Sequence, residues 1–188
     1  DRFAVKYNDR DGSHVKIWQK ASYIERAAHN SAVYHMEWSP DNKKVATASG
    51  DETIQIWNLD DGNVTTLRGH VGAINSLSWN TDGTKLASAS DDKTVRVWDS
   101  VKGAEITKLE DHSDVVTSVK WQPNGGGMVA SVSRGRSLII WSAIDGVKTF
   151  ESKKEDCRYG AVGWSQDGES IYAGSYSNGQ IDVWKLAD

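Results

Sequence analysis

Cysteine is almost missing from this chain of 188 residues: Cys157 stands alone. No internal disulfide can form, which fits a reducing compartment. Long apolar runs are missing as well. No stretch approaches the roughly 18 residues of a membrane span, and the N-terminus lacks a secretory signal pattern. Basic charge is not in excess, with 22 Lys and Arg against 26 Asp and Glu, net charge −4 and a sequence pI near 5.7. A direct nucleic-acid binder would normally carry a strongly basic face. No phosphate loop, nucleophile elbow or metal-ligand spacing occurs, so no cofactor and no catalytic residue is expected. No segment has convincing helical periodicity. The sequon Asn63-Val64-Thr65, without a signal peptide, reads as chance. The chain opens at Asp1, as a processed product or fragment would. An intracellular protein, cytoplasmic or nuclear, is the expectation.

What is present is tryptophan, in order. Trp38, Trp79, Trp121 and Trp164 lie 41, 42 and 43 residues apart. Trp18, Trp57, Trp98, Trp141 and Trp184 lie 39, 41, 43 and 43 apart, which uses all nine. A period near forty marks a repeat architecture. Between rungs, alternating apolar and β-branched residues predict strands. The first kind ends at the first ladder, as in Ile74-Asn75-Ser76-Leu77-Ser78-Trp79. Turn residues such as Asn80-Thr81-Asp82-Gly83 follow. A second strand is expected over 44–49, 85–90, 128–133 and 170–175. A third runs over 53–57, 94–98, 137–141 and 180–184, and a fourth near 64–67, 105–109 and 147–150. Each full repeat is therefore four antiparallel strands joined by hairpins.

Gly69-His70, Trp79, Leu86-Ala87-Ser88-Ala89-Ser90 and Asp92-Lys93-Thr94-Val95-Arg96-Val97-Trp98-Asp99 closely resemble the WD-repeat family, and the resemblance covers essentially the whole chain. It implies an all-β fold, a β-propeller of four-stranded antiparallel blades. Here three full blades, over 29–68, 69–110 and 111–152, are flanked by partial ones over 1–28 and 153–188. The first blade lacks its first strand and the last its fourth. Three closures stay open: a larger propeller of which this is part, several copies forming one ring, or a small ring in which the last blade borrows the strand around Tyr23-Ile24-Glu25.

The resemblance also implies polar tetrads: His29, Thr47, Asp51 and Trp57, then His70, Ser88, Asp92 and Trp98. A buried indole N–H needs an acceptor, and a satisfied network rigidifies its blade. Other blades depart. His112, Ser131 and Trp141 come with Gly135 in the Asp position, and the last repeat offers Glu155, Gly174 and Asn178 before Trp184. Gly12 takes the Asp position before Trp18. Three of the five histidines lie nine residues before a ladder tryptophan, so they read as structural. His14 and His35 have no second ligand at useful spacing, so no metal site is expected. Cys157, in a loop with Lys153, Lys154 and Arg158, reads as an ordinary loop cysteine.

In this family the face formed by the loops before the first strand and between the second and third strands takes peptides and domains. The resemblance thus implies a non-catalytic protein-interaction scaffold for multiprotein complexes. Its candidate partner-binding residues are Tyr34, Asn75, Asp91, Thr117, Arg134, Arg136, Arg158 and Ser177. Aromatic and Arg side chains dominate interface hot spots, which singles out Tyr34, Arg134 and Arg158. Basic residues around the later repeats suit an acidic or phosphorylated segment. The competing readings are a substrate-positioning subunit of an enzyme complex and a partial propeller that completes its blades with other copies of itself.

Overall fold

A computed structural model describes residues 2–9, 12–19 and 22–186. These form eighteen strands and no helix, arranged as five antiparallel sheets in chain order. The first holds β1 (Arg2–Asp9), β2 (Gly12–Gln19) and β3 (Ser22–His29). The second holds β4 (Val33–Trp38), β5 (Lys44–Ser49), β6 (Thr53–Asn58) and β7 (Val64–Arg68). The third holds β8 (Ile74–Trp79), β9 (Lys85–Ser90), β10 (Thr94–Asp99) and β11 (Ala104–Glu110). The fourth holds β12 (Val116–Trp121), β13 (Met128–Ser133), β14 (Ser137–Ser142) and β15 (Lys148–Lys153). The last holds β16 (Tyr159–Trp164), β17 (Ser170–Ser175) and β18 (Ile181–Lys185).

Three full blades are thus flanked by two incomplete ones, and the arc does not close. The segment Tyr23-Ile24-Glu25 pairs with β2 inside the first sheet, Trp18 opposite Tyr23. It is not lent to the last sheet, which ends at β18. That corrects the small-ring closure: a strand already bonded to its hairpin partner has no reason to leave it.

The core is four apolar layers, one between each pair of adjacent sheets. One layer sets Ala46, Ala48, Ile54, Ile56 and Leu67 of the second sheet against Ile74, Leu77, Trp79, Leu86 and Trp98 of the third. The next layer repeats the arrangement with Val95 and Val97 facing Val119, Trp121 and Trp141. Alternation explains why: along one strand, successive residues face in turn the blade ahead and the blade behind, as Ile56 and Trp57 do. A central blade is therefore apolar on both faces. Its leading face carries small and β-branched residues, its trailing face the tryptophans. The first strands β4, β8, β12 and β16 lie side by side, and each second strand touches the first strand of the next sheet.

The turns between third and fourth strands close on glycines in the left-handed region. Gly62 has φ 73° and Gly103 φ 67°, and each N–H returns to the carbonyl four residues back, Asn58 and Asp99. A Cβ on Gly62 would meet nothing within 4 Å, but one on Gly103 would lie 2.7 Å from Thr65 Cγ2 of the preceding blade. Gly62→Ala should therefore cost only the left-handed strain, about 1–2 kcal/mol. Gly103→Ala should cost clearly more, because the turn must also move off its neighbour. Urea unfolding of the two variants checks the order; equal losses would mean that the contact between blades at this turn is soft.

Candidate partner-binding rim and its polar supports

The rim begins with a repeated irregularity. In each first strand the pairing slips by one residue at the same place: Val33 opposes Ser49 but His35 opposes Ala48. The slip recurs between Ile74 and Ser76, Val116 and Ser118, and Tyr159 and Ala161. The skipped residues are Tyr34, Asn75, Thr117 and Gly160. A bulge re-aims a side chain and bends its strand, so three of the sequence-predicted rim residues owe their direction to it. Opposite each bulge lies the residue that enters the turn between second and third strands. Backbone hydrogen bonds fix these as Gly50, Asp91, Arg134 and Tyr176, whose N–H groups donate to Ala32, Ala73, Val115 and Arg158 carbonyls at 2.9, 2.9, 2.9 and 3.1 Å.

The rim is therefore a row of pairs. Tyr34 lies over Gly50, where an added Cβ would sit 3.3 Å from the ring. Asn75 donates to Asp91 at 2.8 Å. Thr117 and Arg134 form the third pair. In the last blade the pair is reversed: Tyr176 lies over Gly160, 3.1 Å from a Cβ built there. Tyr34 and Tyr176 are about half exposed, at 49% and 56%. Tyr176 was not foreseen. The turn in that blade is one residue longer, so counting back from Trp184 misplaces everything before it. Strand pairing sets Ala173 opposite Asp182, where Thr47 opposes Gln55. Ala173 and Ser177, not Gly174 and Asn178, thus occupy the Ser and Asp positions of the last repeat. Ser177 is correspondingly engaged, accepting from Arg158 N at 3.0 Å and donating to Asp156 O at 3.1 Å.

Two rim residues also tie blades together. Asn75 donates to Val116 O at 3.0 Å, and Thr117 to Tyr159 O at 2.8 Å, each reaching the first strand of the next blade. Deeper along the same strands, side chains accept from backbone N–H groups of the next first strand. Trp79 N donates to Glu37 Oε2 at 3.0 Å, Trp121 N to Ser78 Oγ at 3.1 Å, and Val162 N to Ser118 Oγ at 3.3 Å. The first tryptophan ladder joins in, Trp79 donating to Glu37 O and Trp164 to Lys120 O. Lys120 Nζ then reaches back across the third blade to Glu37 Oε1 at 2.8 Å. Burial raises the Glu37 pKa, and the Lys120 ammonium partly offsets it. His35, beside the same cations, is lowered to about 4 by burial and then by Lys120 and Lys6. No sequence signal marked these bonds between blades, because they connect strands about forty residues apart.

Beneath the rim lie the tetrads. In the third blade Trp98 donates to Ser88 Oγ at 2.8 Å, His70 Nε2 meets that hydroxyl at 2.7 Å, and His70 Nδ1 meets Asp92 Oδ2 at 2.7 Å. A carboxylate only accepts, so Nδ1 carries the proton and Nε2 accepts from the serine. The second blade repeats this with Trp57, Thr47, His29 and Asp51 at 3.2, 2.8 and 3.0 Å. A further hydroxyl completes each set: Thr53 and Thr94 donate to Asp51 and Asp92 at 2.7 Å. In the fourth blade, where Gly135 replaces the aspartate, Ser137 itself meets His112 Nδ1 at 2.8 Å. In the last blade the Tyr159 ring stands edge-on to Trp184 at 6.1 Å, as His112 does to Trp141, and its hydroxyl donates to Asp182 at 2.7 Å. Cys157 is buried there, with Asn178 Nδ2 at 3.4 Å from its sulfur. No group of His, Cys, Asp or Glu able to hold a metal is found among the described residues, and no helix among them is long and apolar enough to cross a membrane.

Stacked four-stranded sheets with a buried Trp–hydroxyl–His network in each full blade, extended to Asp in two of them, define propeller blades as the class. The family profile described as WD domain, G-beta repeat matches residues 22–58, 62–99 and 103–142, and the chain belongs to that family. It is similar to protein HIR1 of Cryptococcus neoformans, 31% identical over 184 residues, covering 86% of this chain and 21% of that protein. Shorter similarities join it to the Notchless protein homolog of Arabidopsis thaliana, 47% identical over 45 residues, 23% of this chain and 10% of the relative. Cell division cycle 20.1, cofactor of APC complex, of the same plant is 40% identical over 48 residues, 24% of this chain and 10% of the relative. The chain spans about a fifth of the length of the relative it matches most extensively.

Two outcomes test the polar supports. Ser88→Ala strands two buried groups, the Trp98 N–H and the His70 ring, and should cost about 2–4 kcal/mol. Ser131→Ala should cost as much although its blade has no aspartate, because Trp141 and His112 lean on Ser131 in the same way. Denaturant melts decide; a loss below 1 kcal/mol at either site would mean that water replaces the hydroxyl. The second concerns pH. Burial lowers His29, His70 and His112, the last to about 4, against an ordinary value of 6.5. The unfolded chain then binds protons first on acidification. Stability is full above pH 6.5 and falls below it, down to about pH 4 for His112, by up to about 1.4 kcal/mol per pH unit for each such histidine. His112→Gln should flatten that slope; an unchanged slope would assign the acid sensitivity elsewhere.

Proposed function

We propose that the chain serves as a non-catalytic platform for protein or peptide partners, docking them on the rim described above. The observation that carries this reading is the row of bulge pairs. It aims side chains outward from strands held rigidly by the blades, and leaves the Tyr34 and Tyr176 rings half exposed at its two ends. Rigid aromatic surface of this kind anchors interfaces. One relative bears in its name the role of a cofactor of a complex, and assembly of multiprotein complexes inside the cell, in cytoplasm or nucleus, is in keeping with it.

The partner chemistry follows from which cations are already used. Arg136 pairs with Glu155 at 2.9 Å, Lys153 with Glu151 at 2.9 Å, and Lys154 with Asp182. Asp111 is taken by Lys148 at 2.7 Å. Among the described residues Arg134 and Arg158 have no ion pair, and both adjoin rim positions. An acidic or phosphorylated segment lying from Thr117 towards Tyr176 would meet two unspent guanidinium forks. The substrate-positioning role in an enzyme complex has less support. Glu37 and His35, whose titration burial displaces near the inner strands, have their polar atoms engaged in fastening blades.

A synthetic phosphoserine peptide with flanking glutamates provides the test. It should bind the 188-residue protein with micromolar affinity at low salt. Arg134→Glu with Arg158→Glu should weaken it at least tenfold, while Arg136→Glu changes little. Equal affinity of the double variant and the parent protein would end the acidic-partner reading; Tyr34→Ala and Tyr176→Ala with unchanged binding of every partner tried would end the rim reading.

A further inference from the structure

Among the described residues, glycine follows Asn or Asp at six places: Gly62, Gly83, Gly125, Gly146, Gly168 and Gly179. Such a pair is chemically weak, because no Cβ on the glycine keeps its nitrogen from the side-chain carbonyl before it. In five of the six that nitrogen is held. Its N–H donates to the carbonyl of Asn58, Asn80, Ser142, Ser165 or Ser175, at 2.9–3.2 Å. The Gly125 N–H has no partner among the described residues, although Asn42, Gly83 and Gly168 close the equivalent turns of the other blades. The Asn124 side chain arches back over its own turn: Oδ1 accepts from Gly126 N at 3.0 Å, an Asx turn that draws electron density from Cγ. Asn124 is also exposed to water. Asn178, in the other Asn-Gly pair, makes the same turn with Gln180 N at 3.1 Å. Its amide nitrogen, however, is held by Asp156 O, Cys157 Sγ and Gln180 Oε1 together. The Asn124 amide nitrogen has one bond, to Asp167 O at 3.0 Å.

We infer that Asn124 is a site of spontaneous deamidation, which cuts one of the two side-chain ties from the fourth blade to the Asp167-Gly168 turn. The Gly125 nitrogen, its proton lost to hydroxide, attacks Asn124 Cγ. The new N–C bond closes a five-membered succinimide, and Nδ2 takes up a proton and leaves as ammonia. Water then opens the ring. Attack at Cγ gives Asp; attack at the main-chain carbonyl gives isoaspartate, whose peptide link runs through Cγ. The balance is one water in and one ammonia out. Nδ2 was the donor to Asp167 O, and a carboxylate only accepts, so the product faces a carbonyl that it cannot bond. The fit is close, since a Cβ on Gly168 would lie 2.6 Å from Nδ2. The second tie, Gln122 Nε2 to Gly168 O at 2.9 Å, survives. The last blade therefore stays docked while its first turn loosens. This turn lies on the face opposite the rim, so the inference does not rest on the rim reading.

Peptide mapping by mass spectrometry, on the 188-residue protein aged at mildly alkaline pH, is the first measurement. The peptide carrying Asn124 should gain about 1 Da and split into Asp and isoaspartate forms that separate by chromatography. It should do so at least tenfold faster than the peptide carrying Asn178, and more slowly at mildly acidic pH. An intact Asn124, or Asn178 reacting as fast, overturns the inference. Ageing in concentrated urea isolates the part played by the fold. There the two Asn-Gly pairs should react at similar rates; a tenfold gap that persists would assign the order to local sequence and sink the structural argument. Asn124→Asp supplies one product directly. It should speed hydrogen exchange several-fold at the Gly168 and Ser170 amides, which bond to Ser165 O and Oγ, and leave the Tyr176 amide at the rim unchanged. Equal exchange in parent and variant would show that the Asn124 amide does not hold the turn.

Discussion

Each full blade in this chain is apolar on both faces, and that constraint governs everything else. A sheet covered on one side can stand in water on the other; these cannot. Val95 and Val97 would face solvent if the fourth blade were removed, and Trp98 would if the second were. Stability is thus a property of neighbouring pairs, not of blades, as in other repeat proteins. Polar groups inside the layers obey the same logic. In each full blade a buried hydroxyl accepts from the indole N–H of a tryptophan that the layer has removed from water, so the hydrogen bonds permit the burial and do not replace it.

Two kinds of polar contact can be ranked by what surrounds them. Exposed pairs such as Lys102 with Asp99, 3.8 Å apart, are screened by water and contribute little. Glu37 is different: partly buried, it accepts from Trp79 N and from Lys120 Nζ. Losing its carboxylate would strand a buried N–H and a cation together, which costs more than any surface pair returns. The inner strands are therefore fastened side chain to backbone, at a spacing where backbone groups of neighbouring blades do not pair with one another.

Much of the fold was legible in the sequence because its information is periodic. The second tryptophan ladder, the Asp-Gly and Lys-Gly turns, and the His-to-Asp spacing of 22 in two repeats all recur at fixed offsets. What stayed hidden has no period or crosses between repeats. Ser76, Ser78 and Ser118 look like solvent-side residues of alternating strands, yet all three are buried and accept from Val119 N, Trp121 N and Val162 N of the next blade. Thr53, Thr94 and Ser137 were unmarked because a hydroxyl beside an aspartate is unremarkable until both meet one imidazole. In the last repeat a single extra turn residue shifts the count, so Gly174 and Asn178 stood where Ala173 and Ser177 belong. Tyr159, five residues before the ladder tryptophan, replaces the missing imidazole against Trp184 from a different position, which no alignment on spacing reveals.

The same bulge that aims the rim residues outward also joins the blades, and this divides the rim into two kinds of position. Asn75 and Thr117 spend their polar atoms on the next first strand, so a substitution there changes blade packing before it changes a surface. Tyr34, Arg134 and Tyr176 make no such bond, and Gly50 and Gly160 exist to give the two tyrosines room. Adding a Cβ at Gly50 would place it 2.8 Å from Ser31 Oγ and against the Tyr34 ring, displacing the aromatic without touching the core. Rim side chains without a blade-joining bond therefore stand in the two tyrosine pairs at the ends of the row and at Arg134, while Asn75 and Thr117 keep the middle blades in register.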